Sequence, residues 1–298
     1  MRWEDFRQSE NIEDRRGEDY AGGGGFGMPF GGGGLGLGTI VVLGILGYAL
    51  GIDPRLLIGG AEILSQRSQG QYVEPARNAN RTPTPPTDQM GRFVSAVVAQ
   101  TEDVWSEILP AQKGIKYTPP KLVIFDGRTG SACGLAQSAM GPFYCPADQK
   151  IYLDTSFFND MKRRLGGGGD FAYAYVIAHE VGHHIENQLG ILGRAQRAQQ
   201  QGTKIDANRI SVRVELMADC FAGVWAANAD RKWQILQKGD IEKAINTAQA
   251  IGDDRLQQSS RGYAVPDSFT HGSSAQRVEW LQRGLQSGRI DSCNTFAR

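Results

Sequence analysis

The sequence predicts an α+β domain in which several helices surround a few short strands, and three observations carry that prediction. Helical periodicity recurs through most of residues 88–298. Only two short runs read as strands. The 39 glycines gather in runs such as Gly22–Gly25, Gly31–Gly34 and Gly166–Gly169, outside either kind of element. With 40% hydrophobic and 21% charged residues, a chain of 298 residues can bury a sizeable core. Its 32 basic and 32 acidic side chains sum to a formal charge of +0, so the basic footprint of a nucleic-acid binder is missing and no nucleic acid is expected as a partner.

Residues 1–20 are polar and charged without an apolar period, and a glycine-rich run follows to Gly34, so 1–34 reads as a disordered tail. No charge occurs from Leu35 to Ile52, and Leu56-Leu57-Ile58 extends the apolar character. Residues 35–58 are therefore expected to form one transmembrane helix, near the lower end of the roughly 17–25 residues a span needs, with the bilayer as partner. Arg15 and Arg16 precede the run and Arg55 and Arg67 follow it, so charge bias does not orient it. Residues 59–87 end in Arg-Thr-Pro-Thr-Pro-Pro-Thr and read as a stiff linker.

The folded domain, 88–298, is expected to open with a helix. Met90, Phe93, Val94, Val97, Val98, Val104, Trp105 and Ile108 recur at helical spacing until Pro110, which should stop it. Lys121–Phe125 and Lys150–Asp154 read as strands, separated by a turn-rich stretch with Cys133 and Cys145. Asp170 reads as the N-cap of a helix ending at Gly190. Further helices are expected over about Asp206–Ala229, from Asp240, and over Ser274–Leu285. The 4 cysteines (Cys133, Cys145, Cys220, Cys293) lack the close CxxC spacing of a structural zinc site. Two disulfides in an oxidising compartment and four buried thiols in a reducing one both remain open on this reading.

The strongest signal is His179-Glu180-Val181-Gly182-His183, which fits HExxH. On a helix, i and i+4 share a face, so both imidazoles can converge on one ion. Glu180 then stands beside the open coordination position, where it can take a proton from metal-bound water. Zinc suits this arrangement because it accepts nitrogen ligands, keeps a water, and lowers that water's pKa to roughly 7.

A third ligand is needed, and the chain has only 4 histidines. His184 projects about 100° away from His183 and is rejected. Glu215 is preferred: it and Asp219 share one face of an apolar segment, Val214 to Trp225, where unpaired acids would be costly. A zinc ion on Glu215 offsets that cost, with Asp219 accepting the other ring N–H of a ligand histidine. His271 precedes the last helix and has two readings. It, like Arg277, could donate to the oxyanion on an attacked carbonyl, or it is an ordinary satisfied polar residue.

Taken together, HEVGHH at 179–184, ExxxD at 215–219 and FTHGSSAQRVEW at 269–280 resemble the gluzincin arm of the zincins. More specifically, the chain resembles the bacterial putative neutral zinc metallopeptidase family. Ala132-Cys133-Gly134, Gly141-Pro-Phe-Tyr-Cys145-Pro, the Gly-rich N-terminus and the apolar run are similar to that family's features. The resemblance implies a zincin-like domain with His179, His183 and Glu215 holding one Zn2+ and Glu180 as general base. It further implies Asp219 behind a ligand histidine and His271 as transition-state donor. It implies a single-pass protein of the bacterial inner membrane with its catalytic domain on the periplasmic side, which favours disulfides, expected as Cys133–Cys145 and Cys220–Cys293. The expected activity is hydrolysis of peptide bonds in a peptide or protein substrate. A non-catalytic metal-binding module and a zinc hydrolase of other substrates are the alternatives, and the oligomeric state is not legible.

Overall fold

The computed structural model describes residues 1–18, 86–164 and 168–297. The expected transmembrane helix at 35–58, the glycine-rich run and the linker up to residue 85 lie outside the described residues. Among the described residues, no helix is long and apolar enough to cross a membrane.

The fold is mixed α and β, mostly helical with few strands. The chain opens with β1 (Ile12–Asp14), then α1 (Gln89–Lys113) and β2 (Lys121–Phe125). A hairpin, β3 (Arg128–Ser131) and β4 (Gly134–Gln137), leads to β5 (Phe143–Cys145) and β6 (Lys150–Asp154). The helices α2 (Ser156–Arg164), α3 (Asp170–Gln188), α4 (Ile191–Gln201), α5 (Lys204–Trp233), α6 (Asp240–Ala250), α7 (Asp253–Arg261) and α8 (Ser274–Ser287) complete the chain. A four-stranded sheet runs β1-β2-β6-β5, and β3-β4 pair separately. β1, β2 and β6 are parallel, with Leu122 opposite Ile151, while β5 runs antiparallel to β6.

Residues 1–18 are a correction to the expected disordered tail. Met1, Trp3 and Ile12 are buried in the same core as α1, α3 and α5, and β1 adds to the sheet against β2. The reason is tertiary. Three scattered apolar side chains show no period, and a three-residue strand has no stability of its own. Order comes from partners distant in sequence: Arg7 to Glu102 at 2.8 Å, Asn11 to Glu102 at 2.8 Å, Glu13 to Lys150 at 2.9 Å. Burying Trp3, Met1 and Ile12 contributes roughly 1.5–3 kcal/mol each.

Both predicted strands form with the expected bounds. Helix ends differ. Pro110 does not stop α1, which runs one more turn to Lys113 before Gly114 takes a left-handed conformation and donates to Pro110 O. Within a last turn, proline removes only one N–H···O bond, and the helix closes around it. Asp170 and Asp240 are first-turn residues, with Gly169 and Gly239 at the cap positions. α5 begins at Lys204, where Thr203 and Asp206 form a reciprocal capping box.

Two glycines set how closely the helices approach. A Cβ on Gly182 of α3 would lie 3.0 Å from Ala218 of α5, and one on Gly284 of α8 would lie 2.0 Å from Cys220 O. α5 is thereby clasped between α3 and α8. Cys133 and Cys145 are bonded across 12 residues, and Cys220 and Cys293 across 73. The second bridge ties the chain's C-terminal segment to α5.

Candidate metal centre

α3 carries an apolar stretch, Phe171 to Ala178, whose burial fixes the rotation of the helix and leaves His179 and His183 on one face. Their rings lie edge to face, 4.8 Å between centroids. The close approach at Gly182 brings α5 alongside, and with it Glu215. Its Oε2 is 3.2 Å from His179 Nε2 and its Oε1 is 3.7 Å from His183 Nε2. Ligand-capable atoms of these three residues all lie within 4.8 Å of one another.

Each histidine is anchored through its other nitrogen. His179 Nδ1 is 2.9 Å from Asp219 Oδ1, and His183 Nδ1 is 2.8 Å from Glu186 Oε2. Nδ1–H donating to a carboxylate leaves Nε2 as the lone-pair nitrogen, facing Glu215. Asp219, fully buried, also accepts from Tyr175 Oη–H at 2.6 Å and from Arg277 Nε–H and Nη2–H at 2.8 and 2.9 Å. Arg277 is thus committed to Asp219, which bears on the possibility, left open by the sequence, that it donates to an oxyanion. Glu186 and Tyr175 are contributions the sequence reading missed. Glu186 was legible as the i+3 neighbour of His183, and Tyr175 as the i−4 neighbour of His179, on a helix already assigned.

Glu180 is 7% exposed and makes no hydrogen bond among the described residues. His271 lies before α8, its Nδ1 3.2 Å from Asp253 Oδ1, while Asp253 Oδ2 also accepts from the backbone N–H of Thr270, His271 and Gly272. Its Nε2 has no hydrogen-bond partner among the described residues. His184 is packed elsewhere, bonded to Tyr144 Oη at 3.0 Å and Thr118 O at 2.7 Å, as its rejection as a ligand required.

The electrostatics describe a site that demands a cation. Burial pushes the His179 ring down, yet Asp219 and Glu215 outweigh it and raise it to about 10. His183 is raised likewise, burial being overcome by Glu186 and Glu215. Burial pushes Glu186 up to about 7 against the pull of His183. Burial opposes ionisation of Glu215 too, but His271 and the two ring neighbours hold it well below the carboxylate range. Asp219 is held at about 2, Arg277 and His179 overcoming its burial. With both imidazoles neutral, Asp219 keeps its pair with Arg277, while Glu215 loses the two ring charges that oppose the cost of its burial, and an anionic excess remains. Protons on the rings balance it in the metal-free protein, and a divalent cation bound to Nε2, Nε2 and a carboxylate oxygen balances it without them. Two nitrogens and one oxygen suit zinc, so the residues present fit that ion.

The family model described as "Putative neutral zinc metallopeptidase" matches residues 1–296. The chain belongs to this family. A relative printed as "Uncharacterized protein YpfJ", from Escherichia coli K12, is 49% identical over 301 residues, covering 100% of this chain and 99% of that one. "Uncharacterized protein Rv2575" of Mycobacterium tuberculosis is 41% identical over 264 residues, 83% of this chain and 84% of its own. No solved structure matches the chain. Family membership implies zinc and, as the family is described, a metallopeptidase, in keeping with the cluster formed by His179, His183 and Glu215.

Proposed function

We propose that this protein is a zinc metalloendopeptidase with a gluzincin-like site on a zincin-like domain, attached to the bacterial inner membrane through residues 35–58 and acting on its extracytoplasmic side. The observation that carries the reading is the convergence of His179, His183 and Glu215 within 4.8 Å, with Glu180 next to His179 in sequence, 7% exposed and without a hydrogen-bond partner among the described residues. The two disulfides support the oxidising compartment.

Zinc held there supplies Lewis acidity to a water molecule and to a substrate carbonyl. Glu180 takes the proton of the attacking water and delivers it to the leaving amine. His271, oriented by Asp253, offers its Nε2 side to the oxyanion developing on the carbonyl. Asp219 and Glu186 keep both ligand rings in the tautomer that presents Nε2, and Arg277 with Tyr175 holds Asp219 charged in the core. An unpartnered Glu180 has no use in a purely structural metal site, which would also close its coordination with protein ligands.

The test is zinc-dependent cleavage of an unstructured protein by the wild type and by Glu180→Gln. The variant should bind zinc as the wild type does and lose on the order of 10²-fold or more in turnover, the scale of one general base. Turnover near the wild-type level would reject Glu180 as the base, and zinc-loaded wild type without peptide cleavage would reject the peptidase reading.

A further inference from the structure

β5 is a strand of three residues, Phe143–Cys145, at the end of the four-stranded sheet, paired there with β6. Side chains alternate across a strand, and those of β5 serve two different neighbours. Phe143 and Cys145 join Val123, Phe125 and Tyr152 in a small apolar cluster with Ala136 of the β3–β4 hairpin. Tyr144 is bonded to α3 instead. His184 Nε2–H donates to Thr118 O at 2.7 Å, which leaves Nδ1 to accept from Tyr144 Oη–H at 3.0 Å. Asn187 Nδ2–H donates to the same Tyr144 oxygen, also at 3.0 Å. His184 follows His183, and Asn187 follows Glu186, the carboxylate that holds the His183 ring. One hydroxyl on β5 therefore grips α3 beside both groups.

A strand this short has little stability of its own. Cys145 fastens it to Cys133, in the turn of the β3–β4 hairpin. The two disulfides differ in reach: Cys145, Cys220 and Cys293 are fully buried, whereas Cys133 is exposed. We propose that Tyr144 is a positioning residue for the metal-site helix, and that the Cys133–Cys145 bridge makes this positioning responsive to a dithiol reductant. A thiolate of the dithiol attacks the exposed Cys133 sulfur, and Cys145 leaves as a thiolate that takes up a proton. The second thiol then closes on the mixed disulfide, freeing Cys133 as a thiol and leaving the reductant as its own disulfide. β5 loses its fastening, and α3 loses the grip of Tyr144. The Cys220–Cys293 bridge has no exposed sulfur and keeps the C-terminal segment on α5. The proposal rests on reading His179, His183 and Glu215 as the zinc site and is independent of the peptidase activity.

The experiment uses the metal-free full chain, treated briefly with dithiothreitol without denaturant, capped with iodoacetamide and desalted. Mass mapping should find two alkyl groups, on Cys133 and Cys145. Equal capping of all four cysteines, or of none, would overturn the redox response. Hydrogen exchange at the amides of His184–Gln188 should quicken, and zinc affinity by chelator competition should fall, each by roughly 2- to 30-fold, the range of coupling through a packed network. Loss of the near-ultraviolet circular dichroism on reduction would also overturn it, since a device confined to β5 leaves α5 and α8 packed. Tyr144→Phe keeps the ring and removes the hydroxyl. With its bridges intact it should reproduce both changes, and reduction should then add less than about twofold. A Tyr144→Phe protein that melts lower but matches wild type in zinc affinity and exchange has lost only a structural contact, which refutes the positioning role. A full response to reduction in that variant refutes the link between bridge and tyrosine. If the wild type binds no zinc, the zinc reading of the site falls, while exchange at His184–Gln188 still decides the proposal.

Discussion

Asp219 is the group on which the metal site's geometry most depends, and Asp219→Asn isolates it. The carboxylate is fully buried and accepts from Tyr175, His179 and both ends of the Arg277 fork at 2.6–2.9 Å. Asparagine keeps the shape but removes the charge and turns an NH2 group toward donors. Two consequences can be sized. Arg277, 4% exposed, is left as a buried cation without its counter-ion, and breaking such a pair costs about 3–5 kcal/mol. At a melting-temperature shift of about 2–4 °C per kcal/mol for a domain of this size, the metal-free protein should melt on the order of 10 °C lower. His179 also loses the acceptor that fixes Nδ1–H, and zinc affinity should fall by roughly 10- to 100-fold, the usual effect of removing such a partner. Competition with a chromogenic chelator measures affinity, calorimetry of metal-free protein measures stability, and turnover at saturating zinc shows whether the reloaded site works. A variant that binds zinc within about twofold of wild type would refute the claim that Asp219 orients His179. If it also melts within about 2 °C, the buried pair with Arg277 would be refuted as well.

Two other perturbations follow from the same geometry. His271→Ala should lower kcat by roughly 100- to 1000-fold, as the loss of one oxyanion donor does, with zinc content unchanged; a kcat within about threefold of wild type, under 1 kcal/mol of barrier, removes His271 from the mechanism. Glu13→Gln tests the docked N-terminal segment through pH. Burial would raise Glu13, but Lys150 and Arg15 overcome it and hold it at about 2, against an ordinary 4.5. A depressed carboxylate stabilises the fold above its ordinary pKa, and that contribution is lost as pH falls from about 4.5 through about 2. The ionised group is worth at most about 3 kcal/mol at neutral pH. Urea unfolding should therefore separate wild type from variant at pH 7 and bring them together near pH 2; an equal gap at both would refute the pairing.

Legibility in the sequence followed the range of the interactions involved. β2 and β6 were readable because parallel strands buried on both faces appear as short continuous apolar runs, and Leu122–Phe125 and Ile151–Asp154 are all buried. β1 was not, since Ile12-Glu13-Asp14 looks polar until Lys150 and Arg15 neutralise Glu13 and Arg16 neutralises Asp14. The β3–β4 hairpin was not called a hairpin either. Its Cys133–Cys145 bridge, with Ser131 bonding Gly134 O, substitutes for the apolar alternation that would have announced it. Helix caps were misplaced by one residue wherever glycine took the cap and an aspartate followed, as at Gly169-Asp170 and Gly239-Asp240, because an acid beside a helix start serves the dipole equally from either position.

The site shows the same division at finer grain. HExxH is a statement about one helix, and one helix's geometry suffices to bring two rings together, so His179 and His183 could be placed from spacing alone. Glu215 and Asp219 needed an argument about cost, two acids in an apolar segment, and that argument named a charge to be balanced without saying how. The structure shows the balance to be divided. Glu215 faces the open side of both rings, Asp219 is neutralised from behind by Arg277, and Glu186 answers His183 from within its own helix. The sequence left Arg277 open as an alternative oxyanion donor to His271. Its burial decides otherwise, since a guanidinium 4% exposed and paired through two nitrogens has little left to offer a substrate. His271 is the converse case. The described contacts engage only its Nδ1 side, with Asp253 and Thr270, and the ring is 33% exposed. Of the two side chains that precede or open the last helix, burial commits Arg277 to Asp219 and leaves His271 partly exposed beside Asp253.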